Sequence, residues 1–101
     1  MEKRKPHHDL EAVKKAFSAP DSLRVTRTAL KDAMRMDFMR AGMVEIIQSM
    51  KRKHFYKSMT SLADHTIWQD VYHVPWGDKV LYAKFTWERV TGFLLLSFKE
   101  K

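Results

Sequence analysis

Residues 54–72, HFYKSMTSLADHTIWQDVY, decide the fold, because the spacing of the apolar side chains changes as the chain enters them. Upstream of His54, apolar residues recur at helical spacing; from Phe55 onward they alternate, as along a strand with one buried face. The same stretch sets Lys57, His65 and Gln69 among Phe55, Tyr56, Trp68 and Tyr72. In a basic chain, polar groups beside aromatic rings are what gripping, and even cutting, RNA requires.

Reading back toward the N-terminus predicts helices. Asp9 is placed to cap a helix whose Leu10, Val13, Ala16 and Phe17 share one side, with Lys14 and Lys15 opposite. Ala19, Pro20 and Asp21 stop it. Leu23–Val25 form a short extended segment, after which Thr26 caps a second helix with Ala29, Leu30, Ala33 and Met34 turned inward. A break near Asp37 precedes a third helix striped by Met43, Ile46, Ile47 and Met50, and the cations Lys51, Arg52 and Lys53 close it where they suit a helix C-terminus.

Reading forward predicts strands at about 55–60, 66–74, 79–87 and 92–99, separated by the polar Ser61–His65, by Pro75-Trp76-Gly77-Asp78 and by a hairpin closing over Glu88–Gly92. Helices grouped before strands predict an α+β fold, with the N-terminal helices packed on one face of an antiparallel sheet. If the strands are regular, Trp68, Tyr72, Leu81, Ala83, Phe85, Leu94, Leu96 and Phe98 face the helices. The opposite parity collects Lys57, Gln69, His73, Tyr82, Lys84, Ser97 and Lys99 on the uncovered face.

With 101 residues, the chain is expected to be a single domain, 1–101. Hydrophobic residues at 45% exclude wholesale disorder. A net charge of +7 favours a polyanion or an acidic protein as partner. Absence of cysteine excludes disulfides and thiolate metal sites and suits a reducing compartment. The basic start, MEKRKPHHD, leads into an amphipathic segment rather than an apolar one and reads as a solvated terminus; no apolar run reaches membrane-spanning length. A cytoplasmic location, with no membrane association, is the expectation.

Cutting RNA without a metal requires help for the attacking ribose 2′-OH, stabilisation of the charge that develops on the phosphate, and a proton for the leaving oxygen. Lys57, Lys84 and Lys99 can supply charge, Tyr82 and His73 can move protons, and Gln69 can orient a base or ribose. Arg52 and Lys53, in the basic run before Phe55, are further candidates for holding the RNA backbone, with Lys84 and His73. Five histidines without zinc-site spacing call for no metal, and glycines only at 42, 77 and 92 leave no phosphate-binding loop. The same surface also suits a non-catalytic nucleic-acid-binding regulator, or a module whose charge serves only an acidic partner.

The opening MEKRKPH, TRTAL at 26–30, FYKSMT at 55–60, DHTIWQDVY at 64–72 and the terminal SFKEK closely resemble the MqsR toxins, along essentially the whole chain. The resemblance implies a RelE-like fold and the toxin of a type II toxin-antitoxin system. Its activity would be an endoribonuclease that needs no cofactor and cuts mRNA at GC-containing triplets, typically GCU, inhibiting translation and growth. It implies an MqsA-like, zinc-binding antitoxin as partner. Matched position by position, the family's functional residues fall on Lys57, Gln69, Tyr82 and Lys99. The chain departs from the family pattern in its KRKH stretch, its VPWGD loop and FTWERVTG.

Overall fold

A computed structural model describes residues 1–101. It contains helices α1 (Leu10–Ala16), α2 (Arg27–Arg35) and α3 (Arg40–Ser49), with 3-10 turns at Pro20–Ser22 and Arg52–His54. Five strands, β1 (Glu2–Lys3), β2 (Phe55–Thr60), β3 (Trp68–Trp76), β4 (Lys79–Glu88) and β5 (Gly92–Glu100), form one antiparallel sheet in that spatial order. The α+β architecture read from the sequence is the one formed: the helices pack on one face of the sheet, and the other face is uncovered.

The helix boundaries follow their caps. The Asp9 carboxylate accepts from the Glu11 N–H at 3.2 Å, and the Thr26 hydroxyl accepts from the Ala29 N–H at 3.1 Å. At the far end of α2, Asp37 is left-handed at φ 64°. Its N–H reaches the Met34 carbonyl at 3.0 Å, and the Phe38 N–H reaches that of Ala33 at 2.9 Å, the pairing of a Schellman motif. Met34 itself is 49% exposed rather than core. The inward stripe of α2 runs through Ala29 and Ala33, whose small side chains let the helix approach β5, and Met34 falls outside it.

Both long outer strands, β2 and β5, are partly covered, which shortens the backbone that would otherwise template pairing with another chain. On one side the basic start is not a loose terminus: Glu2 pairs with Met59 and Lys3 with Ser58. On the other, Val25 bridges Leu95 in parallel, with the Leu95 N–H to the Arg24 carbonyl at 2.9 Å and the Thr26 N–H to the Leu95 carbonyl at 3.0 Å.

Two β-bulges revise the side-chain alternation. Tyr56 is an extra residue between the pairs Phe55–Tyr72 and Lys57–Val71, and Leu96 is an extra residue between Phe85–Leu95 and Lys84–Ser97. Leu94 and Leu96 are therefore not the core residues that a regular strand predicts; Leu95 is, at 1% exposure, together with Phe98. Trp68 lies on the helix side as expected but at the rim and only half-buried, stacked against His7 at 5.3 Å with the Lys3 Nζ 4.1 Å above its ring. The packed centre joins Val13, Phe17, Leu23, Met43, Ile47 and Met50 to Tyr72, Val74, Leu81, Ala83, Phe85, Leu95 and Phe98. No helix is long and apolar enough to cross a membrane.

One core residue carries a polar atom that nothing satisfies. The fully buried Tyr72 hydroxyl has no hydrogen-bond partner, and burial, reinforced by Asp70, pushes its pKa up to about 12. Tyr72→Phe is expected to be neutral or stabilising, by up to about 2 kcal/mol, in a denaturant titration, because it removes an uncompensated desolvation cost. A loss above about 1 kcal/mol would show that the hydroxyl is satisfied in solution.

Candidate functional site

Directly paired residues of neighbouring strands share a face, so the register builds the uncovered surface row by row. One row reads Lys57, Val71, Lys84, Ser97; the next reads His73, Tyr82, Lys99; a third reads Met59, Gln69, Thr86, Leu94. Lys57, Gln69, His73, Tyr82, Lys84 and Lys99 thus stand together, opposite the helices. At their centre Val71 is fully buried between its partners Lys57 and Lys84 although it lies outside the helix-side core. The cations therefore rise from an apolar floor, an arrangement long lysine stems permit.

The two bulges complete this face. Continuing the alternation of β2 back from Lys57 without a break would turn Phe55 outward and Tyr56 inward. The extra residue reverses both: Phe55 packs edge-on to Tyr72 at 5.5 Å, and Tyr56 stacks on His73 at 4.2 Å. In β5 the bulge at Leu96 likewise sends Phe98 inward and brings Lys99 opposite Tyr82.

The ionisable groups here are tuned by partial burial and by one another. The Tyr82 phenol is pushed up, mainly by burial; Lys57 opposes that rise and so stands where it would stabilise a phenolate. The Lys84 ammonium is pushed down by burial and then by Lys99, and the His73 imidazole by burial and then by Lys101. At neutral pH Tyr82 is therefore a proton donor, and Lys84 gives up its proton more readily than an ordinary lysine. The Lys99 Nζ lies 5.4 Å from the Tyr82 ring centroid. A groove of about 510 Å³ beside Gln69 and Lys84, bounded by Met59 and Ser61–Ala63, leads onto the face.

The remaining sequence candidates lie elsewhere. Arg52 and Lys53 occupy the 3-10 turn before β2; the Arg52 guanidinium sits 5.0 Å from the Phe55 ring and lines a cleft with Pro6, His8, Asp9 and Tyr72, away from the open face. His65 is exposed in the loop between β2 and β3. Two neighbours of the site escaped the sequence reading. Glu2 pairs with Lys57 at 3.3 Å, and Tyr56 is delivered by a bulge that no glycine announces. No three His, Asp or Glu side chains converge to hold a metal ion.

A buried carboxylate fastens the strand that carries Gln69. Asp70, fully buried on the helix side, accepts from the His7 N–H at 3.1 Å, the His8 N–H at 2.9 Å and the Ser58 hydroxyl at 2.6 Å. It thereby ties residues 7 and 8 and strand β2 to β3, one residue from the open face.

Fold and face together define a class: a small α+β domain whose helix-backed sheet offers a cationic, aromatic surface on its open side. Comparison with known proteins supplies the family. The family described as "Motility quorum-sensing regulator, toxin of MqsA" matches residues 5–100. The chain is also 44% identical to the mRNA interferase toxin MqsR of Escherichia coli (strain K12) over 101 residues, covering all of both proteins. The chain belongs to the MqsR toxin family.

Proposed function

We propose that this chain, an mRNA-cleaving toxin endoribonuclease by family, carries out the cleavage on the open face of its sheet, by attack of a ribose 2′-OH on the adjacent phosphate. The observation that carries the reading is the gathering of Lys57, Gln69, Tyr82, Lys84 and Lys99 in neighbouring register positions on the one face the helices leave free. In this scheme Lys57 and Lys99 stabilise the negative charge that grows on the phosphate oxygens. Lys84, whose ammonium is pushed toward losing its proton by burial and by Lys99, takes the 2′-OH proton, and Gln69 orients the ribose or base. Tyr82 gives its proton to the departing 5′ oxygen, and Lys57 stabilises the phenolate left behind. The products are a 2′,3′-cyclic phosphate and a 5′-hydroxyl end.

The preferred cut is at GC-containing triplets such as GCU. The partner is an MqsA-like zinc-binding antitoxin that presents acidic groups to a chain of charge +7. Incubating the protein with a defined mRNA in EDTA and mapping both ends tests the mechanism. Cleavage that persists in chelator and leaves cyclic phosphate is the expected result. Cleavage lost in chelator and restored by a divalent ion would overturn it, and intact RNA with tight binding would point instead to a regulator.

A further inference from the structure

An exposed tyrosine on a sheet face loses cover that the core would supply, and the bulge at Tyr56 spends a strand residue to put it there. The ring is 43% exposed. One side stacks on His73, with centroids 4.2 Å apart and planes 20° from parallel; His73 lies in turn 5.9 Å from Tyr82, so three rings run across β2, β3 and β4. Cations border the first ring: the Lys57 Nζ is 5.5 Å and the Arg4 guanidinium 5.6 Å from its centroid. An aromatic surface flanked by positive charge is how sequence-tolerant sites hold single-stranded nucleic acid, the base on the ring and the phosphate on the cation. Because Tyr56 and Lys57 are consecutive on the same face, a base on the first leaves its own phosphate beside the second.

We propose that Tyr56, backed by His73, is the stacking platform for an unpaired RNA base next to the scissile phosphate, so that it is a binding residue which seats the substrate across Lys57 and Tyr82. This rests on the reading of the open face as the cleavage site and adds to it the subsite that receives a neighbouring nucleobase.

The test is a double-mutant cycle between protein and RNA. Wild type, Tyr56→Ala and Tyr56→Phe are assayed on a short single-stranded RNA holding one cleavable site, and on the same RNA with an abasic nucleotide on either side of that site. Tyr56→Ala is expected to raise KM by about 5- to 150-fold, the range that stacking on an aromatic ring supplies, with kcat changed far less. Tyr56→Phe restores wild-type KM because the ring, not the hydroxyl, does the stacking. Removing the flanking base costs wild type a similar factor and costs Tyr56→Ala almost nothing more. Should the alanine variant lose thermal stability, Tyr56→Leu keeps the apolar cover, lacks the π-face and carries the same expectation. Unchanged KM in Tyr56→Ala, or independent effects of the ring and the base, would overturn the platform while leaving cleavage on this face intact. A wild-type protein that neither binds nor cuts the RNA would sink the cleavage reading, and the platform with it.

Discussion

Lys57→Ala is expected to lower the rate of RNA cleavage by about 10²- to 10³-fold, the usual effect of removing one donor that stabilises developing transition-state charge. Stability should stay within about 1 kcal/mol of the parent, since the side chain belongs to the uncovered face and its one ion pair, with Glu2, is partly solvated. RNA affinity should fall much less than turnover. Each phosphate contact with a single strand contributes about 0.7 to the slope of log affinity against log salt, so the variant should lose less than one unit of that slope. Single-turnover cleavage and a salt titration of binding separate the two effects. Equal losses in both would make Lys57 a handle for the backbone rather than a catalyst.

The largest expected loss of stability belongs to the neighbour of Gln69. Asp70→Ala takes away the acceptor of the His7 and His8 N–H groups and the nearer of the two acceptors of the Ser58 hydroxyl, which keeps the Gln69 carbonyl at 3.3 Å; each N–H left without a partner costs about 1–3 kcal/mol. Release of residues 7 and 8 into water recovers part of this, leaving an expected cost of about 2–4 kcal/mol, a large share of what so small a domain has. Gln69→Ala, on the other face, should cost under about 0.5 kcal/mol while cutting RNase activity. Thermal melts and cleavage rates of the pair test the register of β3 directly. A loss below about 1 kcal/mol in Asp70→Ala would mean that water reaches the carboxylate and that the first residues are not fastened there.

The helical layer was legible because its signals are local. Asp9 and Thr26 cap where their side chains can reach the second or third N–H onward, and Leu10, Val13, Met43, Ile46 and Ile47 repeat at helical spacing. The sheet was legible as alternation, and Lys57, Gln69, Tyr82 and Lys84 fell on one face by counting in twos. The rest depended on contacts distant in sequence. Nothing in FYKSMT or LLLSFK marks an extra residue, so the exchange of Leu94 and Leu96 for Leu95, and the outward turn of Tyr56, become visible only once partner strands are aligned. Glu2 and Lys3 join the sheet through pairing with β2, and the segment behind them is fastened by a carboxylate more than sixty residues away. A short, highly charged start has no such partner in view when read alone.

The bulge at Leu96 also bears on how the molecule reaches its native state. A hairpin zipping from the turn at Arg89–Thr91 in unbroken register would set Lys99 beside Leu81, facing the helices, and Phe98 beside Tyr82, facing solvent. That misaligned ribbon satisfies as many backbone hydrogen bonds, so strand pairing alone does not reject it. Docking of α2 does, because it would trap an ammonium group in an apolar layer at a cost of several kcal/mol and leave a phenyl ring stranded in water. The helices place no residue on the open face, yet their arrival proofreads the strand alignment on which that face depends.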